Sequence, residues 1–241
     1  MLDLHCHMLP NIDDGPGSLP EALQMARMAL ANGVTRTVVT PHIHPGRYEN
    51  DLISIRAAVA RFSEALVAGG IPLELSLAAE VRISPETMTL IETDRMPWLG
   101  ALDGYRLFLL ELPHSHVPVG TDKLVKWCLM RNVRPVIVHP ERNKDVIRNL
   151  EKITPLVDLG CLLQVTAGSV AGHFGRHAQQ RACQLLKRGW VTLLASDAHN
   201  VKARVPNLEP GRVAAARLIG EAESWRLVRD NPARILSGSH N

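Results

Sequence analysis

The feature of this sequence that most restricts its fold is the alternation of short apolar runs with amphipathic segments. The apolar runs predict about seven strands, over residues 2–8, 34–40, 72–79, 106–112, 134–139, 161–166 and 190–196. The segments between them predict helices over residues 18–33, 52–69, 85–93, 122–131, 143–150, 154–159 and 172–188, followed by a helical tail from residue 209. Continuously apolar strands that alternate with helices are typical of a parallel sheet covered by helices.

Closure of this α/β sheet gives a barrel with one strand fewer than the common eight, and an open doubly wound sheet is the alternative. No Gly-rich dinucleotide fingerprint follows the first strand, which disfavours a nucleotide-binding version of the open sheet. With 241 residues, of which 46% are hydrophobic, the chain can bury a barrel-sized core, and no linker divides it. We therefore expect a single domain over residues 1–241.

Six of the seven predicted strands end in residue types that ligate metals. These residues are His5 and His7, His42, Glu80, Glu111, His139, and Asp197 with His199. In a parallel α/β barrel all such strand ends lie at the C-terminal rim, where active sites are built. We therefore expect these side chains to meet in one cluster.

The first strand shows how the cluster begins. His5 and His7 lie two residues apart, so both imidazoles project from one face of a strand, while Cys6 points the other way and is expected to pack in the core. The turn-rich segment over residues 10–17 can fold Asp13 or Asp14 back over the same mouth. A single His-x-His pair is a weak sign of a metal site, because it needs partners from elsewhere in the chain.

The candidate metal ligands, counted with Asp14, comprise five histidines and four carboxylates. They are His5, His7, Asp14, His42, Glu80, Glu111, His139, Asp197 and His199. A single tetrahedral ion cannot use so many ligands, so we predict two or three divalent ions that share bridging carboxylates. Nitrogen and oxygen ligands without thiolate suit Mn, Fe or Zn, and suit Mg less well.

Two arginines follow candidate ligands closely. Arg142 comes shortly after His139, and Arg204 shortly after His199. A guanidinium beside a multi-metal centre can hold phosphate oxygens bidentately, which predicts a catalytic role for both in phosphoryl chemistry. The structural alternative is an arginine that only extends its charge to solvent at the rim.

Composition excludes several other classes of function. The net charge of +3 is close to balance, without the basic stripe that attracts nucleic acid. No apolar run approaches the roughly 18–20 residues that span a bilayer, and a strand begins at Met1, so we expect no membrane insertion and a cytoplasmic location. Cys128 and Arg134 match the C-x5-R spacing of cysteine phosphatases, but the residues between them lack the glycines that cradle phosphate. We interpret that match as chance.

Four motifs carry a resemblance to a known family: LHCHMLPNIDDGP, VVTPHIHPGRYEN, VIVHPERN and ASDAHN. They resemble the PHP (polymerase and histidinol phosphatase) superfamily, and within it most closely the bacterial metal-dependent protein-tyrosine phosphatases of capsule and exopolysaccharide operons. The likeness covers essentially the whole chain. It implies a distorted (β/α)7 TIM-like barrel, a Mn-preferring multinuclear site and, as partner, the phosphotyrosine tail of a bacterial tyrosine kinase.

The resemblance implies hydrolysis of phosphotyrosine on that kinase, which regulates capsule or exopolysaccharide synthesis. We expect a metal-bridged hydroxide to attack phosphorus directly, while Arg142 and Arg204 hold the phosphoryl group. Asp14 and His44 are the candidates for a general acid.

Three other functions stay open at this point. A PHP small-molecule phosphatase of the histidinol-phosphate type or a phosphodiesterase would use the same cluster. An amidohydrolase also opens with His-x-His, but it would require a bridging lysine where this chain has Glu111. An inactive metal-bound module that docks on a kinase or polymer-export complex is disfavoured, because every candidate ligand and both arginines are present.

Overall fold

Strands and helices alternate as predicted in the computed structural model, which describes residues 1–238. The strands are β1 (Leu2–Cys6), β2 (Arg36–Val39), β3 (His42–Ile43), β4 (Glu74–Leu77), β5 (Glu80–Arg82), β6 (Gly100–Leu102), β7 (Tyr105–Glu111), β8 (Val133–Val138), β9 (Leu162–Thr166) and β10 (Val191–Ala195). The helices are α1 (Leu19–Ala31), α2 (Leu52–Ala68), α3 (Glu86–Glu92), α4 (Thr121–Leu129), α5 (Lys144–Arg148), α6 (Thr154–Asp158), α7 (Ala167–Ala171), α8 (Arg176–Lys187), α9 (Glu209–Ile219), α10 (Glu221–Trp225) and α11 (Asn231–Ser237). The last three positions of the expected 1–241 domain lie outside the described residues.

The parallel strands close into a distorted barrel of seven strand positions. One hydrogen-bonded path runs β1-β2-β4 and a second runs β10-β9-β8-β7-β5-β3. The paths join where β1 meets β10, through the bridge between Cys6 and Ala198 and the Asp197 N–H bond to the His5 carbonyl at 2.8 Å. They join again on the other side of the ring, where β3 follows β2 and β5 follows β4 along the same two barrel positions. Because β5 pairs with β7, this second junction closes the ring. The predicted (β/α)7 barrel is thereby confirmed over the open sheet.

The second and third predicted strands are each interrupted near the mouth of the barrel. Pro41, which has no N–H to donate to a ladder, separates β2 from β3. His42 and Glu80 were expected at the ends of these two strands, but they lie in β3 and β5 and pair with each other in register. Because His42 and Glu80 lie opposite each other on paired strands, both side chains reach the mouth side by side.

One predicted helix differs from the structure, and one strand of the structure was not predicted. The helix expected over residues 172–188 begins only at Arg176, because Gly172 (φ 94°) and Gly175 (φ 84°) adopt left-handed conformations that end α7 and separate it from α8. β6, a short strand antiparallel to β7, was not predicted.

A compact apolar cluster fills the barrel below its mouth. It joins side chains from strands around the ring with Ile235 of α11: Leu4, Val38, Ala78, Leu99, Leu107, Leu109, Val136, Val138, Leu193 and Ile235. A larger cluster packs the helices against the outside of the sheet. The register of β1 with β2 shifts between Asp3 and Cys6, as in a β-bulge, which can re-aim side chains beside active sites. Leu4 packs in the inner cluster, and the next residue, His5, faces the mouth.

Candidate metal centre and active site

The nine candidate ligands meet at the mouth of the barrel. The Glu80 carboxylate lies at the centre, with its Oε2 3.3 Å from His5 Nε2, 3.1 Å from His7 Nε2 and 3.1 Å from His42 Nδ1. Its other oxygen, Oε1, lies 2.6 Å from His139 Nε2. Residues from distant parts of the chain therefore converge on one buried carboxylate.

The cluster contains three overlapping groups of candidate ligands. Within each group, the ligand atoms all lie within 4.8 Å of one another. The groups are His5, His7, Glu80 and Asp197; His7, Asp14, His42 and His199; and His42, Glu80 and Glu111. His139 belongs to none of the three groups and contacts Glu80 instead. Because His7, His42 and Glu80 each belong to two groups, the arrangement has the shared ligands expected of a multinuclear site.

Orphaned polar atoms in the cluster fit a cation. Among residues 1–238, the buried side-chain atoms without a hydrogen-bond partner include His42 Nδ1, Glu111 Oε2 and Asp197 Oδ1. Buried polar atoms without partners cost free energy, and these three face the other candidate ligands. Divalent ions with nitrogen and oxygen ligands would satisfy all three, so the residues fit the predicted metals.

The charges of the carboxylates also fit cation binding. Burial opposes ionisation of Glu80, yet the His5 and His139 imidazoles hold its carboxyl pKa well below the usual range. Burial, reinforced by the negative charge of Glu80, raises the pKa of Glu111 to about 7. A cation between these two carboxylates would remove the repulsion that keeps Glu111 protonated near neutral pH.

The imidazoles differ in their readiness to ligate. Burial, with the positive charge of Arg142, lowers the pKa of His139 to about 4, and burial with the charge of His7 lowers the pKa of His199 to about 4. Both rings are therefore neutral at pH 7, the form that binds metal. Burial alone would lower the pKa of His7, but the Asp13 carboxylate raises it well above the usual value. Metal binding at His7 would accordingly release a proton.

Two of the candidate ligands lie on strained backbone within two residues of the end of a strand. His139 (φ 35°) follows β8 and Asp197 (φ 51°) follows β10, and both adopt a left-handed conformation that costs non-glycine residues about 1 kcal/mol or more. At His139 this turn leads at once into a 3₁₀ helix over Pro140–Arg142. The turn thus places His139 and Arg142 at the mouth together.

The two predicted catalytic arginines converge on one carboxylate oxygen. Arg142 Nη1 and Arg204 Nη2 both donate to Asp197 Oδ2, the latter at 2.6 Å. Burial opposes ionisation of Asp197, but His5 and the two arginines hold its carboxyl pKa well below the usual range. Because Oδ1 faces His5 and His7 at 3.4 and 3.6 Å, Asp197 connects the arginines to the candidate metal ligands.

The structure separates the roles of the two neighbouring aspartates. Asp14 Oδ1 lies 3.3 Å from both His42 Nε2 and His199 Nε2, at the exposed side of the cluster. Asp13 accepts the Nδ1–H of His7 at 2.7 Å and the backbone N–H of His42 at 3.0 Å. Asp14 therefore fits a ligand, and Asp13 fixes the orientation of one.

Gln164 of β9 is the site residue that the strand-end pattern missed. It is fully buried, and its Oε1 accepts the Nδ1–H of His5 at 2.8 Å. This bond leaves the His5 Nε2 lone pair facing the cluster. The strand-end pattern considered only histidines and carboxylates, but a buried-strand run such as CLLQVT that contains an amide was a readable signal.

We predict that the Gln164→Leu substitution weakens Mn²⁺ binding by about 10- to 100-fold, because it removes the group that fixes the His5 tautomer. Calorimetric titration of the metal-free protein with Mn²⁺ measures this directly. Gln164→Glu is the matched control, since its carboxylate also accepts the Nδ1–H and should keep most of the affinity. Equal Mn²⁺ affinity in Gln164→Leu and the parent chain would contradict this role.

The cysteines do not contribute to this site. Cys128 is buried in α4, and burial raises the pKa of its thiol to about 12, so it does not supply a thiolate near neutral pH. Cys6 is buried on the outer side of β1, as expected. Within the described part of the chain, no helix is both long and apolar enough to cross a membrane.

A barrel with histidines and carboxylates gathered at its C-terminal mouth is the architecture of metal-dependent barrel enzymes. The model of the family described as "Capsular polysaccharide synthesis, CpsB/CapC" matches residues 1–237. The chain belongs to this family, and the recognition made from its motifs is confirmed.

Two curated relatives are named as tyrosine-protein phosphatases. The chain is 36% identical over 205 residues to YwqE of Bacillus subtilis, covering 85% of this chain and 79% of that protein. It is 27% identical over 241 residues to CpsB of Streptococcus pneumoniae, covering 98% of both.

Solved structures agree with the barrel. One, from work on YwqE and CpsB as "unique metal-dependent tyrosine phosphatases", superposes with a TM-score of 0.92 at 30% identity, over 99% of this chain and 95% of that chain. A D-hydantoinase superposes with a TM-score of 0.55 at 14% identity, over 96% of this chain and 69% of that chain, which is a likeness of fold alone.

Proposed function

We propose that this chain is a metal-dependent protein-tyrosine phosphatase that hydrolyses phosphotyrosine in the tail of a bacterial tyrosine kinase and so regulates capsule or exopolysaccharide synthesis. The observation that carries the proposal is the convergence of nine candidate metal ligands and two arginines on Glu80 and Asp197. Family membership and the names of the relatives support the substrate class.

The proposed ligands are those predicted from the strand ends: His5, His7, Asp14, His42, Glu80, Glu111, His139, Asp197 and His199. Their number suits two or three divalent ions, with Mn first among Mn, Fe, Zn and Mg. When bound, such ions supply a Lewis acid for the phosphoryl oxygens and an activated water at neutral pH.

The protein's own part in the reaction is to bind and orient the phosphoryl group. Arg142 and Arg204 donate to Asp197 from the side of the mouth, where their remaining N–H groups can hold phosphoryl oxygens. The Arg142 guanidinium also lies over the Phe174 ring, 4.7 Å from its centroid, which restricts its movement. We propose no covalent enzyme intermediate, and the buried Cys128 is in keeping with this.

Two rival classes of enzyme would use a site of this kind. An amidohydrolase is disfavoured, because Glu111 stands where that chemistry uses a bridging lysine. A small-molecule phosphatase or phosphodiesterase shares the chemistry and differs only in substrate. We also propose the cytoplasmic location expected from the sequence, because an enzyme of this kind must reach the kinase tail.

The test is a substrate comparison with metal-loaded protein. We expect Mn²⁺-loaded enzyme to hydrolyse p-nitrophenyl phosphate and a phosphotyrosyl peptide faster than the matched phosphoseryl peptide, because a phenolate, whose conjugate acid has a pKa of about 10, leaves more readily than an alkoxide. Metal content is measured on the same sample, and a chelated sample is the control. Faster hydrolysis of histidinol phosphate or a dinucleotide would favour a rival, and no hydrolysis of any aryl phosphate would reject the proposal.

A further inference from the structure

The segment His44–Tyr48 forms a tight hairpin at the edge of the mouth, immediately after β3. His44 N–H bonds to the Tyr48 carbonyl at 3.0 Å, and Tyr48 N–H returns to the His44 carbonyl at 2.8 Å. Gly46 (φ 79°) supplies the left-handed turn between them. The Asn50 amide ties the hairpin down by donating to the carbonyls of Ile12 at 3.0 Å and His42 at 2.9 Å. The hairpin is therefore held in place before any substrate binds.

Three side chains of this region form a stack that rises from the cluster. The Tyr48 ring lies parallel to the His42 ring, with an interplanar angle of 8° and 5.4 Å between centroids. The Arg47 guanidinium lies over the Tyr48 ring, 5.0 Å from the ring centroid. Arg47 and Tyr48 line the same cavity as the candidate ligand His42 and the predicted phosphate-binding residues Arg142 and Arg204. The contact with Tyr48 thus holds the positively charged Arg47 guanidinium at the rim of the site.

Arg47 differs from the other arginines of this cavity in its charge partners. Arg142 and Arg204 pair with Asp197, and Arg82 pairs with Glu111 at 3.1 Å. Among residues 1–238, Arg47 makes no ion pair with any carboxylate. The nearby Glu49 instead accepts the backbone N–H of Gly46. The charge of Arg47 is therefore available to a molecule that enters the cavity.

We propose that Arg47, held on Tyr48, recognises a carboxylate side chain next to the phosphotyrosine of the substrate, so that the enzyme prefers acidic phosphotyrosyl peptides. This inference rests on the proposed phosphatase function. When Arg142 and Arg204 hold the phosphoryl group, the residues next to the phosphotyrosine lie in the mouth of the same cavity, which the hairpin lines. A fixed exposed cation there contributes selectivity and faster association more than tight binding.

The experiment compares two phosphotyrosyl peptides that differ only in having Glu or Gln on both sides of the phosphotyrosine. For the Mn²⁺-loaded chain at low salt we expect kcat/KM to be roughly two- to fivefold higher for the Glu peptide, the range of one exposed ion pair. In Arg47→Ala the ratio should fall to about one, and Arg47→Lys should keep most of it. High salt should remove the preference in the parent chain, because exposed charges are screened.

Arg217→Ala is the matched control, because Arg217 is an exposed arginine on α9 outside this cavity, and its ratio should equal that of the parent chain. Equal kcat/KM for the two peptides in the parent chain, or a preference that survives in Arg47→Ala, would overturn the role of Arg47 while leaving the phosphatase function intact. Absence of hydrolysis of either peptide would overturn the proposed function and this inference with it.

Discussion

Glu80→Gln should abolish metal binding at the centre of the cluster and lower kcat for aryl phosphate hydrolysis by at least about 1000-fold. Glu80 contacts four of the five candidate histidines, and its side chain is only 1% exposed. An amide nitrogen cannot ligate a cation, and it would direct N–H groups at imidazole nitrogens that must themselves stay free to ligate. The magnitude corresponds to several kcal/mol of lost charge stabilisation in the transition state.

Metal analysis by mass spectrometry and single-substrate kinetics measure the two effects separately. Glu74→Gln is the matched control, because Glu74 is an exposed glutamate at the start of β4, away from the cluster. Circular dichroism of the variant excludes unfolding as the cause. Full metal content together with parental kcat in Glu80→Gln would remove the central ligand from the proposed site.

Much of the architecture could be predicted because barrel strands carry a strong local signal. Runs such as RLFLLEL and RPVIVH have apolar centres, LFLL and PVIV, and they correspond closely to β7 and β8. The helix prediction over residues 172–188 was wrong at its start, because the backbone conformations of single residues determine where that helix begins. The left-handed conformations of Gly172 and Gly175 break a segment whose composition suits a helix, and the sequence alone did not mark which glycines would adopt them.

The site was predictable for a different reason, which is that topology gathers strand ends. His139 and Asp197 are nearly 60 residues apart, yet the barrel places both beside Glu80 and His5. The rule gave positions without contacts, so it could not separate Asp13 from Asp14. It also passed over Gln164, because it considered only residue types that bind metals directly.

Features outside the strands could not be predicted in the same way. The stack of Arg47, Tyr48 and His42 depends on a two-way hydrogen-bonded hairpin and on the anchoring amide of Asn50. No repeating residue pattern predicts either feature, because individual hydrogen bonds position loops. The proposed role of Arg47 in substrate selection therefore needed coordinates, whereas the candidate ligands did not.

Arg142→Ala should lower kcat for an aryl phosphate by about 100-fold, the effect of removing one pre-organised donor to a developing charge, while the bound metal stays unchanged. The separation is expected because Asp197 uses different oxygens for the two tasks. Its Oδ2 accepts from both arginines, and its Oδ1 faces His5 and His7. Arg204 remains on Oδ2 in the variant, so Asp197 stays ionised and can still ligate.

Arg142→Lys is the conservative variant, and it should recover only part of the rate, since an ammonium cannot hold two phosphoryl oxygens in the fixed geometry of a guanidinium. Arg131→Ala, which changes an exposed arginine just after α4, serves as the matched control. If Arg204→Ala and the double variant are each no worse than Arg142→Ala, the two arginines act as one unit on the phosphoryl group. A parental kcat in Arg142→Ala would assign this arginine to the support of Asp197 alone, and loss of metal would assign it to the ligand cluster.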